Sequence, residues 1–249
     1  HRKGRDRLIL FISDLHLSPR SPGATALFLR FLAGRARQAE ALYILGDLFE
    51  VWVGDDIDDA YHTAIISALR AASDAGLKIW FMHGNRDFAI GEQFAQATGV
   101  SLLPDPYLLV LPEWSFVLSH GDALCIEDHA YMAYRAKVRD PEWQRKMRAK
   151  PRFLRSLLGR YIRWRSARRK RDHANVYADL NGPATDDFLR DHGYATFIHG
   201  HTHRPATHDH MVDGIHVERW VLGDWHEDRG NCLVWDGERL TREAIVVEN

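Results

Sequence analysis

The chain has 249 residues, 45% of them hydrophobic and 27% charged, a balance that excludes a disordered tail, a fibrous repeat or a disulfide-built miniprotein. Cys125 and Cys232 are too few for a disulfide framework and suit a reducing cytoplasm. No run of about 18 apolar residues is present to span a bilayer, and His1-Arg2-Lys3-Gly4-Arg5 lacks the apolar core of a secretory signal.

The net charge of −1 conceals an asymmetry. Between Arg135 and Arg171 lie 16 Lys and Arg residues against only Asp140 and Glu142. Removing them from the totals of 33 and 34 leaves 17 basic and 32 acidic residues elsewhere, so a +14 insert sits in a −15 body. Such an insert is expected to meet something anionic, whether phosphate, nucleic acid or a lipid surface.

Taken in chain order, short apolar runs predict strands at Leu8–Ile12, Leu42–Leu45, Ile79–Met82, Phe116–Leu118 and Thr196–Ile198. Helical spacing predicts helices over Ala24–Glu40, over Asp58–Ala75 with Gly76 as its stop, and over Thr185–His192 with Gly193 after it. This alternation predicts an α/β architecture. From Glu127 to His173 the pattern is helical, with Pro141 and Pro151 placed to start helices. There Leu154, Leu157, Leu158, Tyr161 and Ile162 form one apolar stripe, and a helical hairpin is expected. Beyond His203 come shorter strand-like pieces at Ile215–Leu222, Cys232–Trp235 and Ala244–Val247.

Each of the five main strands runs into a polar cluster: Ser13-Asp14-Leu15-His16, Gly46-Asp47, Gly84-Asn85-Arg86-Asp87, His120-Gly121-Asp122 and His199-Gly200-His201-Thr202-His203. Groups beyond the carboxyl ends of neighbouring strands converge on one crevice. Alone, an Asp-x-His or a Gly-Asp is as readily a turn as a ligand pair. Five such clusters in succession, each behind an apolar strand, point instead to metal. Imidazoles, carboxylates and an amide without thiolate suit Mn, Fe, Zn or Co. Seven donors are too many for one ion and suit two, which together clamp an in-line displacement at phosphorus. Arg86, beside Asn85, has a guanidinium suited to forking onto phosphate oxygens; its alternative is a salt bridge to Asp87 or Asp55.

These motifs resemble the signature of the calcineurin-like metallophosphoesterases. The resemblance implies a single metallophosphoesterase domain over 1–249, built as an α-β-β-α sandwich with a helical lid inserted at about 127–173. It implies one ion on Asp14, His16, Asp47 and His203, and another on Asp47, Asn85, His120 and His201, with Asp47 bridging. Arg86 stands where most members carry His. With Ala41–Glu50 and His199–Pro205, it likens the chain to the branch acting on UDP-2,3-diacylglucosamine in lipid A biosynthesis.

That branch implies Mn-dependent cleavage of the pyrophosphate to UMP and 2,3-diacylglucosamine 1-phosphate, with Asn85, Arg86 and His201 at the reacting phosphate. Asp128 and Ser166 match substrate-contacting positions, while Lys170 and His173 stand where the branch has Asn and Lys. The expected partners are the lipid-linked nucleotide and the anionic cytoplasmic face of a bacterial inner membrane, with neither nucleic acid nor an obligate protein partner. The competing readings are a hydrolase of soluble nucleotide diphosphates or phosphodiesters, and a nuclease using the basic insert.

Overall fold

The computed structural model describes residues 8–172 and 179–247, with the side chains of 165–172 outside the described set. In chain order its elements are β1 (Ile9–Ile12), α1 (Pro22–Ala33), β2 (Ala41–Ile44), α2 (Ala60–Asp74), β3 (Lys78–Met82), α3 (Glu92–Thr98), β4 (Ser101–Leu103), β5 (Tyr107–Val110) and β6 (Ser115–Ser119). There follow α4 (His129–Arg139), α5 (Pro141–Arg148), α6 (Arg152–Asp172), α7 (Gly182–Asp191), β7 (Thr196–His199), β8 (Ala206–Val212), β9 (Ile215–Val221), β10 (Arg229–Trp235) and β11 (Leu240–Val246).

Two mixed sheets result, with orders β11-β10-β1-β2-β3-β4 and β5-β6-β7-β9-β8. β1 to β4 run parallel in the first, and β6, β7 and β9 run parallel in the second. Strand alternation decides how they stack. In β1, Leu10 and Ile12 pack with Leu27, Phe28 and Ile65 of α1 and α2. Ile9 and Phe11 face the other way, onto Phe116, Leu118 and Ile198 of the second sheet. A third cluster joins Val117 and Phe197 to Leu189 of α7. Helices, sheet, sheet and helix therefore form four layers, as expected. Phe11, with no exposed surface and its ring centroid 5.9 Å from that of Phe116, contributes about 1.5–3 kcal/mol by burial.

Two expectations need correction. The helix starting near Ala24 ends at Ala33, and a 3₁₀ turn at Arg35–Gln38 follows Gly34. The insert holds three helices rather than a hairpin, because Asp140 caps α5 through Trp143 N with Pro141 in its first turn. The apolar stripe of α6 is split: Leu158 and Ile162 are half-buried toward the body, Leu154, Leu157 and Tyr161 are exposed, and Arg155 and Gly159 beside the stripe are buried. Arg155 donates to Asp56 Oδ1 and Val53 O, both at 2.8 Å. Gly159 lies so close to Val51 and Val53 that a Cβ there would meet both at 2.9 Å. None of the described helices is long and apolar enough to cross a membrane.

Candidate metal centre

The loops after β1, β2, β3, β6 and β7 bring all seven candidate donors to one place. The turns are sharp. Asp14, His16, Asp47, His201 and His203 all have positive φ, from 48° to 70°, a region costly for side chains with a Cβ and concentrated at functional sites. Room for them comes from glycine: a Cβ on Gly84 would collide with the Asp47 carboxylate, and one on Gly200 with that of Asp14.

Asp47 Oδ2 lies 3.8 Å from His16 Nε2 and 3.6 Å from His120 Nε2. One oxygen thus faces both halves of the site, the position a bridging carboxylate needs. Asp14 Oδ1 lies 3.2 Å from His203 Nε2 and 3.8 Å from His16 Nε2. The two imidazole Nε2 atoms of His16 and His203 approach to 3.2 Å. Asn85 Oδ1 lies 3.1 Å from His120 Nε2. His201 joins through its backbone, whose N–H donates to Asp14 Oδ2 at 2.9 Å, and its ring lies 5.1 Å from that of His120. Two groups with metal-ligating geometry emerge among the described residues, Asp14–His16–His203 and Asp14–Asp47–His120.

The electrostatics fit a cation. Burial disfavours a charged imidazole at His16, yet hydrogen bonds to Asp14 and Glu50 and the field of Asp47 outweigh it, pushing the pKa up to about 10. At His120 burial again opposes charge, and Asp47, Asp14 and Asp122 overcome it, raising the pKa to about 9. His201 goes the other way, to about 3, through burial and the neighbouring His120. A buried pocket that favours positive charge despite desolvation, lined by imidazole, carboxylate and amide donors, suits divalent metal.

Several residues that sequence reasoning did not single out hold these donors in place. Glu50 accepts from Arg86 Nη1 at 2.8 Å with Oε1, and its Oε2 lies 2.9 Å from His16 Nδ1. Arg86 therefore pairs with Glu50, not with Asp87 or Asp55. Asp87 instead accepts the backbone N–H groups of Asp47, Leu48, Phe49 and Gly84 at 2.7–3.3 Å, tying two donor loops together. Asp55 accepts from Trp52 Nε1 and from the backbone of Gly91 and Phe94. Asp224 Oδ2 lies 3.5 Å from His203 Nδ1. The Ala41–Glu50 segment contained Glu50, but nothing in a strand-end pattern marks a partner one turn beyond the donor.

Asp128 caps α4 by accepting from Tyr131 N at 3.1 Å, and the Tyr131 ring lies 5.3 Å from that of His201. The side chains of Ser166 and Lys170, on α6, and the whole of His173 lie outside the described residues. An apolar cleft lies between the body and the lid, with Trp52, Phe88, Trp143, Met147, Leu158 and Ile162 along it and Arg86 also in its wall. The rings of Phe88 and Trp143 meet across it at 5.8 Å.

Residues 7–205 match the family model for calcineurin-like phosphoesterase. The chain is 47% identical to a UDP-2,3-diacylglucosamine hydrolase from Aromatoleum aromaticum, over 92% of this chain and 93% of the relative. It is 47% identical to one from Chromohalobacter salexigens, over 89% and 90%, and 48% identical to one from Pseudomonas paraeruginosa, over 87% and 90%. With the four-layered sandwich and the converging donor loops, these matches place the chain in the calcineurin-like phosphoesterase family as a hydrolase.

Proposed function

We propose that the chain hydrolyses the pyrophosphate of UDP-2,3-diacylglucosamine to UMP and 2,3-diacylglucosamine 1-phosphate, using two divalent ions, Mn²⁺ being the expected pair. The observation that carries this reading is the apolar cleft beneath the lid with Arg86 in its wall, next to the donor cluster. A diacylated substrate needs room for lipid beside a phosphate-binding cation, and this arrangement supplies both. The relatives named for that reaction support it as well.

Asp14, His16, Asp47 and His203 would hold one ion, and Asp47, Asn85, His120 and His201 the other. Ions so held supply Lewis-acid polarisation of phosphoryl oxygens and a nucleophile from water at neutral pH. Arg86, buried and fixed by Glu50, presents its guanidinium to the diphosphate as charge builds on the leaving oxygen. Its backbone N–H donates to Asp47 Oδ1 at 2.9 Å, so the proposed bridge and the arginine move as one unit. Asp128 and Ser166 are proposed substrate contacts from the lid.

The lid also suits a membrane-borne substrate. Phe153, Leu157, Tyr161 and Trp164 are exposed on α6 within the basic insert. Apolar side chains flanked by cations favour an anionic bilayer, each cation near the surface adding about 1 kcal/mol. Peripheral attachment to the cytoplasmic face of the inner membrane is part of the proposal.

The test is release of UMP by metal-stripped protein with and without added Mn²⁺, offered UDP-2,3-diacylglucosamine, UDP-N-acetylglucosamine and a bis-aryl phosphate. Metal-dependent cleavage of the acylated nucleotide alone is the expected result. Cleavage of only the bis-aryl phosphate would keep the metal centre and overturn the lipid substrate.

A further inference from the structure

The first helix of the insert touches the metal centre on one side only. Asp122, two residues beyond His120, is fully buried, and its Oδ2 accepts from Tyr131 Oη at 2.7 Å and Arg135 Nε at 3.0 Å. Arg139 Nη2 lies 3.9 Å from the same oxygen. These partners stand four residues apart along one face of α4. The same Nη2 of Arg139 donates to the carbonyls of His83 at 3.0 Å and Gly84 at 3.3 Å, immediately before Asn85. Tyr134 Oη reaches Asn85 O at 3.4 Å. Apart from Val138, no residue of α4 is fully buried, so polar contacts rather than a core dock the helix.

The other half of the centre is held differently. His16 is steadied by Glu50, His203 by Asp224 and Asp14 by Ser13, none of them on α4. The loops that α4 grips carry Asn85 and His120, and its Tyr131 ring faces His201. Resting on the two-ion reading above, we infer that α4 is a brace for one ion of the pair, with Asp122 and Arg139 as positioning residues for the Asn85–His120–His201 site. The insert thereby sets the geometry of a metal site as well as covering a lipid cleft. Groups that orient metal-bound donors typically alter metal affinity by about 10- to 100-fold when removed. Because Asp122 carries buried negative charge, its cationic partners cannot be lost without disturbing the loop that follows His120.

The experiment is a Mn²⁺ titration of the stripped full-length chain, read by calorimetry for affinity and by electron paramagnetic resonance for coupling. Wild type is expected to take up two ions and to develop the spectrum of an exchange-coupled pair. Arg139→Gln is expected to weaken one ion about 10- to 100-fold, leave the other unchanged, and show an uncoupled six-line spectrum at intermediate loading. Arg139→Lys, which keeps the charge, should restore part of the affinity. Glu50→Ala, on the opposite side, should weaken the other ion instead. Circular dichroism monitors folding, and Arg135→Gln, which removes the other guanidinium beside Asp122, serves if Arg139→Gln does not fold. Equal weakening of both ions by Arg139→Gln or Arg135→Gln, or no weakening of either, overturns the inference. A wild-type chain that binds one ion would instead overturn the two-ion reading.

Discussion

Glu50 joins Arg86 to His16: one carboxylate oxygen accepts from the guanidinium at 2.8 Å, and the other meets the imidazole Nδ1 at 2.9 Å. This single side chain holds both the guanidinium proposed to face the diphosphate and the imidazole of a candidate metal donor. An imidazole whose far nitrogen is tied to a carboxylate is held in one tautomer and made a better ligand. Glu50→Ala is expected to lose metal affinity by about 10- to 100-fold and to lower kcat, because Arg86 loses its ion pair with Glu50 as well. Metal content and kcat both unchanged would mean that Glu50 merely lies nearby.

A second expectation concerns the seating of the lid. Gly159 is a helix-interior glycine that ordinarily costs about 1 kcal/mol against alanine, and it is present because Val51 and Val53 press against it. Gly159→Leu should drive α6 away from the body and distort the cleft between them. The Michaelis constant for a long-chain diacylated substrate should rise several-fold while cleavage of a bis-aryl phosphate stays near wild type. Equal effects on both substrates would place the damage in the centre instead.

The convergence of the candidate donors was legible in the sequence because strand ends restrict where such polar clusters meet. Asp14, His16, Asp47, Asn85, His120, His201 and His203 all arrive in one pocket from loops that were expected to converge. What orients them was not legible. Asp87 works by accepting backbone N–H groups from a loop about forty residues away, and a backbone donor leaves no mark in sequence. Helical periodicity picked out the stripe from Leu154 to Ile162 but not the contacts off the stripe that seat α6. The body receives Arg155, whose charge is met by Asp56, and the close approach at Gly159. β8 escaped notice because it is an edge strand with exposed residues at alternate positions.

The two cysteines give a pH-dependent expectation. Burial pushes the thiol of Cys125 up to about 12, helped by Asp122, Asp179 and Asp128, and burial with Glu243 does the same at Cys232. A raised folded-state value means these thiols favour the folded state most below the ordinary cysteine pKa of about 8.5. That contribution should then fade as pH rises from there toward about 12. At pH 8 both should resist a disulfide reagent in the native protein and react fully in denaturant. Rapid labelling of either in the folded chain would contradict the burial.

Exposure of the α6 stripe leads to the last expectation. Leu157 is 53% exposed and Tyr161 51%, with the Trp164 ring 6.0 Å from that of Tyr161, so a charge at either position disturbs no core. Leu157→Asp with Tyr161→Asp should leave the melting temperature within a few degrees of wild type, since exposed substitutions change stability by about 0.5 kcal/mol or less. The same pair inserts two anions where an anionic bilayer would lie and removes apolar surface that would enter it. Binding to vesicles containing acidic phospholipid should fall severalfold. Turnover of substrate carried in those vesicles should fall with it, while turnover of a short-chain soluble analogue stays close to wild type. Unaltered vesicle binding would mean that the exposed stripe does not dock on the bilayer, and the basic residues around it would then be the next to replace.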